Sequence, residues 1–306
     1  MNELIINEIA KDLDITDKQV STVLSLLEEG NTIPFIARYR KEATGALDEE
    51  SIRKINEVYE YQVNLLKRKE DVIRLIDEKG MLTDELRNSI LSCSKLVEVE
   101  DLYRPYKEKK KTKATEAIAL GLESLAKMMM SFPINGSLEE MAKKFVKEDL
   151  PVDKCIEGAK YIIAEWISDN ASYRKWIRSY FYRNGIIISS IKKNAEDTNK
   201  VYEMYYEYNE PVKYIKPHRV LALNRGEKEK ILTVKVEAPE EKILQYLEKQ
   251  VIVSKNEFTT PILQDVIADS YKRLIAPAIE REIRSDLTEK AEENIESYFS
   301  INDLIK

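Results

Sequence analysis

The longest regular pattern in this chain is helical and runs from Asp48 to Lys79, with Gly80 directly after it. Apolar side chains recur along it every three or four residues, which is the spacing of one face of an α-helix. They are Ile52, Ile55, Val58, Tyr59, Leu65, Leu66, Val72, Ile73 and Ile76. The pattern amounts to about eight turns. Because the 306 residues include only 8 glycines and 9 prolines, long helices and few tight turns are favoured. The predicted fold class is mainly α.

Capping residues mark the starts of other helices. Thr16 and Gln19 form a capping-box pattern ahead of an apolar face that ends at Gly30. Further helices are predicted to begin at Thr83, Ser137 and Asp153. Helix pairs joined by short loops are therefore expected as far as Gly185.

The pattern changes after Gly185. Ile186–Ile191 and Ile231–Glu237 read as strands, and Lys216–Arg225 between them reads as a short helix. Thr260 then starts a helical pattern that reaches Arg284, with a kink expected at Pro277. We predict three parts: a helical domain over residues 1–185, a smaller α+β segment over 186–258 and a long C-terminal helix over 259–306.

Composition indicates a folded, cytoplasmic protein. Hydrophobic residues make up 43% and charged residues 34% of the chain. The longest apolar run is too short to cross a membrane, and no secretory leader is visible after Met1. Cys93 and Cys155 have no framework spacing, which favours reduced thiols. The net charge is −6, yet residues 172–193 carry six cations and no acid, so local potential and not the total decides what binds.

The search for catalytic chemistry fails. His218 is the only histidine, so a two-histidine metal site or a histidine relay is excluded. The glycines are too far apart for a phosphate-cradling loop or a dinucleotide fingerprint. We therefore predict no catalytic residues, no metal, no cofactor, no small-molecule substrate and no enzyme activity.

Two basic segments can contact phosphates. The segment Ile33–Asp48 places three cations after an apolar opening: Arg38, Arg40 and Lys41. The segment that begins at Arg104 and Pro105 is expected to be an exposed loop, and its other cations are Lys107, Lys109, Lys110, Lys111 and Lys113. Lysines on a loop suit diffuse phosphate contact. A solvated charge run explains the loop equally well.

The stretch from Tyr173 to Arg183 is predicted to be a two-sided helix. One side is aromatic and is expected to pack as core. The other side carries Arg174, Lys175 and Arg178 and is expected to stay open to phosphate or to an acidic partner. The remaining cations of this basic patch are predicted to be Arg183, Lys192 and Lys193.

Two further groups of side chains lie downstream. His218 and Arg219 are predicted to be structural or to face phosphate. The tyrosine cluster Tyr205, Tyr206 and Tyr208 is predicted to pack as core, although tyrosines can also form a ledge for RNA.

Three separate segments of the chain resemble a known protein family. The sequences IPFIARYRKEATGALD (33–48), VEDLYRPYKEKKKTKAT (99–115) and HRVLALNRGEKE (218–229) closely resemble the N-terminal region of the bacterial Tex proteins, which are transcription accessory factors. The resemblance implies a helix-turn-helix-like unit within residues 1–185. It also implies that Asp269–Arg284 starts the family's long central helix, which leads into an RNase-H-like domain. By the same resemblance, full-length members also carry a helix-hairpin-helix module and an OB-type RNA-binding domain, and we expect none of these three modules within the 306 residues.

Two hypotheses for function remain open. The first is a non-enzymatic transcription accessory module that binds RNA or DNA through phosphates without sequence specificity, with the transcription or translation machinery as a further partner. The second is a protein-interaction scaffold whose cations dock other Tex domains or the transcription machinery, with no binding of free nucleic acid. The acidic first thirty residues favour the second hypothesis.

Overall fold

The computed structural model describes residues 2–133 and 135–302. They are mainly helical, with one small three-stranded sheet, which confirms the predicted fold class. Contacts between residues divide the chain into two units, Met1–Tyr106 and Lys107–Lys306. The boundaries predicted after residues 185 and 258 stay predictions, and the last four residues of the predicted segment 259–306 lie outside the described residues. No helix among those described is long and apolar enough to cross a membrane.

The first unit is entirely helical in its regular structure. Its elements are α1 (Glu3–Asp12), α2 (Asp17–Glu28), α3 (Ile33–Tyr39), α4 (Lys41–Thr44), α5 (Glu49–Glu78), α6 (Asp84–Leu91), α7 (Leu96–Tyr103) and a 3-10 turn (Arg104–Tyr106). The Asp48 carboxylate accepts a hydrogen bond of 2.8 Å from the Ser51 amide and so caps α5. This confirms the long helix predicted from Asp48.

Two small apolar cores lie along α5. Near its start, Ile52 and Ile55 pack with apolar residues of α1, α2 and α3. Further along, Leu65, Val72 and Ile76 pack with residues of α6 and α7. The apolar face of α5 that the sequence predicts thus contributes to two separate apolar clusters.

The second unit combines helices with the sheet. Its elements are α8 (Lys113–Ala119), α9 (Glu123–Met130), α10 (Leu138–Lys143), α11 (Val152–Asp169), α12 (Ala171–Asn184), β1 (Ile186–Ile191), β2 (Glu207–Pro211), α13 (Pro217–Lys228), β3 (Leu232–Glu237), α14 (Glu240–Val251), α15 (Thr260–Asp269), a π-helical turn (Ser270–Ile275) and α16 (Ala276–Asn302). The π-helical turn directly precedes α16, near the place where a kink was predicted at Pro277. Proline lacks the N–H that a regular α-turn needs.

The sheet is antiparallel with the order β2-β1-β3. Ile187 at its centre lies opposite Glu210 on one side and Val236 on the other. Side chains of α16 cover the outer edge of β3, because Glu280 accepts a hydrogen bond of 3.0 Å from the Val236 amide and Arg284 donates to the Val234 carbonyl at 3.3 Å. Helix α16 thereby blocks further strand pairing at this edge.

Candidate nucleic-acid interface

Helix α3 and the short helix α4 expose the first predicted basic cluster. Ile36 is completely buried on one side of α3. The opposite side and the adjoining residues carry five exposed side chains: Phe35, Arg38, Tyr39, Arg40 and Lys41. We call these five residues the α3 surface. The burial of Ile36 fixes the rotation of α3, so the structure brings these cations together at the surface.

Aromatic rings and cations alternate on the α3 surface. The ring centroids of Phe35 and Tyr39 are 5.1 Å apart, and the Arg40 guanidinium carbon lies 5.6 Å from the Phe35 centroid. Tyr39 is 67% exposed and Phe35 is 38% exposed. Within residues 2–133 and 135–302, none of the three cations forms an ion pair with an acid. The surface therefore has both open charge and open ring faces.

The Gln19 side chain connects α2 to the end of α4, just after the α3 surface. The Gln19 side chain accepts the Thr16 amide proton at 3.0 Å and completes the capping box. Its amide nitrogen donates at 3.1 Å to the carbonyl of Thr44, the last residue of α4. Gly45 follows with φ = 69°, and a Cβ there would lie 2.7 Å from the Gln19 amide nitrogen. Glycine permits both the left-handed turn and this close approach.

The second basic segment is partly neutralised. Lys109 binds two carboxylates of α11, Glu165 at 2.6 Å and Asp169. Lys111 forms an exposed ion pair with Glu116 at 3.1 Å, and Lys113 lies 4.6 Å from the centroid of the Tyr161 ring.

The other cations of the segment differ in exposure. Arg104 is half-buried in the 3-10 turn that ends the first unit. Lys107 and Lys110 are exposed in a loop. In the predicted basic loop, Lys107 and Lys110 are thus exposed to solvent. Lys111 is exposed as well, although it is paired with Glu116.

At two residues the arginine side of α12 is closed to phosphate, and the other predicted alternative, an acidic partner, holds instead. Arg174 is 1% exposed and Arg178 is 9% exposed. Arg174 donates to one carboxylate oxygen of Glu282 at 2.6 Å, and Arg178 donates to the other at 2.8 Å. The acidic partner lies on α16 of the same unit, so these arginines join two helices.

The contact between α12 and α16 continues one turn further. The Tyr182 hydroxyl donates to Asp286 at 2.6 Å, and Lys290 pairs with Asp286 at 2.7 Å. Burial raises the pKa of Tyr182, and the hydrogen bond to the Asp286 carboxylate raises it further. Residues 174, 178 and 182 recur every four residues, as do 282, 286 and 290, so the two helices meet in register. Lys175 and Arg183 are exposed on other sides of α12.

The aromatic side of α12 packs as predicted. The Trp176 ring stacks on Tyr246 of α14 with centroids 3.8 Å apart and an interplanar angle of 6°. Tyr180 also stacks on Trp176, with ring centroids 5.3 Å apart. Ile177 on the same helix is completely buried. These rings pack with the apolar core of the second unit.

The predicted tyrosine cluster is also confirmed as core. Tyr205 is buried, and Tyr206 and Tyr208 pack against the same apolar cluster. The Tyr208 hydroxyl donates to Glu210, and Arg219 donates to the other oxygen of that carboxylate at 2.8 Å. Burial and the bond to Glu210 raise the pKa of Tyr208 to about 12.

The remaining predicted cations lie apart in the second unit. Lys192 is half-buried, and Lys193 is exposed just after β1. His218 is exposed in the first turn of α13, and Arg219 beside it is paired with Glu210. Among the described residues, no three histidine, cysteine or acidic side chains converge in a way that could hold a metal ion.

Sequence reasoning missed the acids that meet the basic residues. Glu282 and Asp286 have the same four-residue spacing as Arg174 and Arg178, and this match was the available signal. Lys109 had no comparable signal, because a single lysine offers no spacing to match against the spacing of Glu165 and Asp169.

Two family descriptions match this chain. The description Tex-like protein N-terminal domain matches residues 3–77. The description Tex central region-like matches residues 135–299, which is more than half of the chain.

Three relatives show how far the similarity extends. The protein YdcI of Bacillus subtilis is 52% identical over 98% of this chain. The "Transcriptional accessory protein Tex" of Neisseria gonorrhoeae is 31% identical over 96% of it, and the human "S1 RNA-binding domain-containing protein 1" is 30% identical over 99%. The chain spans 42%, 40% and 32% of the lengths of these relatives, respectively. By its matching regions and its relatives, the chain belongs to the Tex family.

Proposed function

We propose that the chain is a non-enzymatic accessory module that binds RNA or DNA through phosphate contacts without sequence specificity. The α3 surface is the observation that carries this proposal, because it combines three exposed cations with two exposed aromatic rings. A cation without an acidic partner can neutralise a phosphate and release its counterion. A paired cation must first give up its own ion pair, and for that reason Lys109, Arg174 and Arg178 are not part of the proposed interface.

Other exposed cations add to the binding on the second unit. They are Lys107, Lys110, Lys175, Arg183 and Lys193, with the half-buried Lys192 beside the last. Lys111 joins them because its ion pair with Glu116 is exposed and therefore weak enough to exchange for a phosphate. Each is a lesser contributor, since within the described part of the chain none of these cations lies over an aromatic ring as Arg40 lies over Phe35.

The absence of sequence specificity follows from the side chains on α3. Helices α2 and α3 are separated by the four residues 29–32, and we propose that they form the helix-turn-helix-like unit. Readers of the major groove present Arg, Asn or Gln along a recognition helix. Helix α3 has only seven residues and offers one such side chain, Arg38. Phosphate contact therefore dominates.

The names of the relatives support the nucleic-acid setting. One is named a transcriptional accessory protein, and another is named for an S1 RNA-binding domain. A role beside the transcription or translation machinery in the cytoplasm belongs to the same proposal. The buried thiols of Cys93 and Cys155 agree with a reducing compartment.

Fluorescence anisotropy with labelled single-stranded RNA and duplex DNA tests the proposal. We expect binding at low salt that weakens near physiological salt and that differs little between sequences of the same length. The variant Arg38→Gln/Arg40→Gln/Lys41→Gln removes the three cations of the α3 surface and should weaken binding strongly.

The control removes the same charge elsewhere in the first unit. Lys67, Arg87 and Lys95 are exposed and belong to the α5–α7 part of that unit. The variant Lys67→Gln/Arg87→Gln/Lys95→Gln should lose much less affinity. Equal losses in the two triple variants would show that only total charge matters, and the α3 surface would then have no special role.

A docking scaffold is the second candidate function. It is favoured by the contact of Arg174 and Arg178 with Glu282, where a basic helix side binds an acidic helix within one unit. On this hypothesis the α3 surface docks an acidic protein segment in the same way. The chain would then show no binding to either nucleic acid at low salt, whereas a polyglutamate peptide would bind and saturate at one site.

A further inference from the structure

The segment between β2 and α13 forms a second basic and aromatic surface. It consists of Lys213, Tyr214, Lys216, His218 and Arg219, and we call it the β2–α13 surface. Every charged residue in the range 211–219 is basic. The nearest acid, Glu210, already accepts from Arg219 and from the Tyr208 hydroxyl. Lys213, Lys216 and His218 are exposed, and within the described part of the chain neither lysine pairs with an acid.

Tyr214 gives this surface an open ring face. Its side chain is 62% exposed. The Lys213 ammonium lies 4.9 Å from the ring centroid, which is a cation–π distance. The tyrosines of the cluster 205–208 pack into the core, whereas Tyr214, which the sequence did not single out, faces solvent.

Buried residues on both sides hold the segment in place. Val212 is 3% exposed, and its amide donates to the Gly185 carbonyl at 2.9 Å. Pro217 begins α13, and Val220 and Leu223 of that helix are buried. Tyr214 and Lys216 therefore lie on a short tether between two fixed points. Because the backbone that carries the ring and the charges is held at both ends, it loses little conformational entropy on binding.

We propose that the β2–α13 surface binds single-stranded nucleic acid, with one base stacked on Tyr214 and adjacent phosphates bound by Lys213 and Lys216. This inference rests on the proposed function and adds to it a site on the second unit. Each base has a π-face, so stacking is tolerant of sequence. A duplex hides its base faces in the helical stack and leaves only the phosphate contacts. A single strand therefore uses both features of the surface.

Anisotropy and photo-crosslinking test the ring. The probe is a short oligouridylate that carries 5-iodouridine, bound to the whole chain. Tyr214→Ala should weaken single-strand binding at least about fivefold, the lower end expected for one stacked base. Tyr214→Phe keeps the ring and should bind as the unchanged chain does. Mass spectrometry should find a crosslink at Tyr214, and duplex DNA should be affected little by either substitution.

A matched pair of charge variants tests the phosphate contacts. Lys213→Gln/Lys216→Gln removes two cations just before and at the start of α13. Lys228→Gln/Lys230→Gln removes two exposed cations at its other end. The first variant should reduce the slope of log affinity against log salt by about 1.4, at roughly 0.7 for each phosphate of a single strand. Lys228→Gln/Lys230→Gln should change this slope much less. Melting temperature serves as the check that all variants fold.

The outcomes separate this inference from the proposed function. If Tyr214→Ala and the Lys213/Lys216 variant bind as tightly as the unchanged chain while the α3 variant binds weakly, the β2–α13 surface is not a nucleic-acid site and the proposed function stands. If the unchanged chain binds no nucleic acid at low salt, both are wrong. Saturating binding of polyglutamate that depends on Lys213 and Lys216, without binding of the oligouridylate, would identify a protein-docking surface instead.

Discussion

The contact between α12 and α16 supplies the strongest stability prediction. Glu282 accepts charge-assisted hydrogen bonds from Arg174 and Arg178 at 2.6 and 2.8 Å. Arg174 is 1% exposed, so water cannot replace its partner. The substitution Glu282→Gln keeps the size and one carbonyl acceptor, and it removes the negative charge that two arginines share.

The magnitude follows from these contacts. A hydrogen bond to a charged group contributes about 1.5 to 3 kcal/mol, and breaking a buried ion pair costs about 3 to 5 kcal/mol. Two facts lower the estimate: the Glu282 side chain is 32% exposed, and Arg174 still donates to the Ser168 carbonyl at 3.4 Å. We expect Glu282→Gln to lower the free energy of unfolding by about 2 to 4 kcal/mol, below the simple sum of two such bonds.

Urea unfolding followed by tryptophan fluorescence reports on the second unit of the chain, which contains α12 and α16. Both tryptophans, Trp166 and Trp176, lie on α11 and α12. The control is Glu289→Gln, the same chemical change at an exposed position of α16, which should shift the free energy of unfolding by no more than about 0.5 kcal/mol. If both variants unfold at the same urea concentration, the two arginines do not depend on Glu282 and the reasoning is refuted.

Three further predictions concern a helix cap, a titrating hydroxyl and a close helix contact. Asp48→Ala removes the cap of α5 and should lower the free energy of unfolding by about 1 kcal/mol at neutral pH. The hydrogen bonds from Ser51 lower the pKa of the Asp48 carboxyl. The stability difference between the two proteins, measured by hydrogen exchange in α5, should therefore shrink as the pH falls below 3.8. The raised pKa of Tyr208 predicts that the free energy of unfolding declines between pH 10 and about 12. In urea unfolding Glu210→Gln should make this decline smaller. An unchanged pH profile would contradict the role of Glu210 in raising the pKa of Tyr208. Gly158→Ala places a Cβ against the Leu122 side chain and should cost about 1 to 3 kcal/mol, measured by thermal unfolding, with full stability as the contrary result.

Much of the fold could be predicted because its signals are local. The helix from Asp48 is defined by its capping residue, its apolar stripe and the glycine that ends it, and all three can be read from neighbouring residues. The capping box of Thr16 and Gln19 was predicted for the same reason. Strand β2 was not predicted, because Glu207–Pro211 contains no Val, Ile or Thr and ends in proline. Its pairing with β1 outweighs its weak local preference.

The candidate site was less predictable because a sequence shows charges and not their partners. Arg174 and Arg178 looked open, yet their acid lies 104 residues or more along the chain. Lys109 was grouped with its neighbours, although two carboxylates of α11 bind it. Arg38 and Arg40 share the basic pattern of these residues and remain exposed. The difference is set by which helix packs opposite, and that is a tertiary property.

The aromatic residues show the same division. The packing of Trp176 was predicted correctly because Ile177 and Phe181 share its helix and mark the buried side. Tyr39 and Tyr214 also have apolar neighbours, Ile36 and Val212, so nothing local distinguished them from core tyrosines. Their exposure of 67% and 62% became visible only with the fold.

The salt dependence of binding tests the central claim most directly. Affinity for a single-stranded RNA is measured over a range of salt concentrations for the unchanged chain and for Arg38→Gln/Arg40→Gln/Lys41→Gln. The account predicts that log affinity falls linearly with log salt and that the triple variant reduces the slope by about 2, at roughly 0.7 for each of three phosphates. A slope that is the same in both proteins, or no binding by the unchanged chain at low salt, would contradict the claim that the α3 surface contacts phosphates.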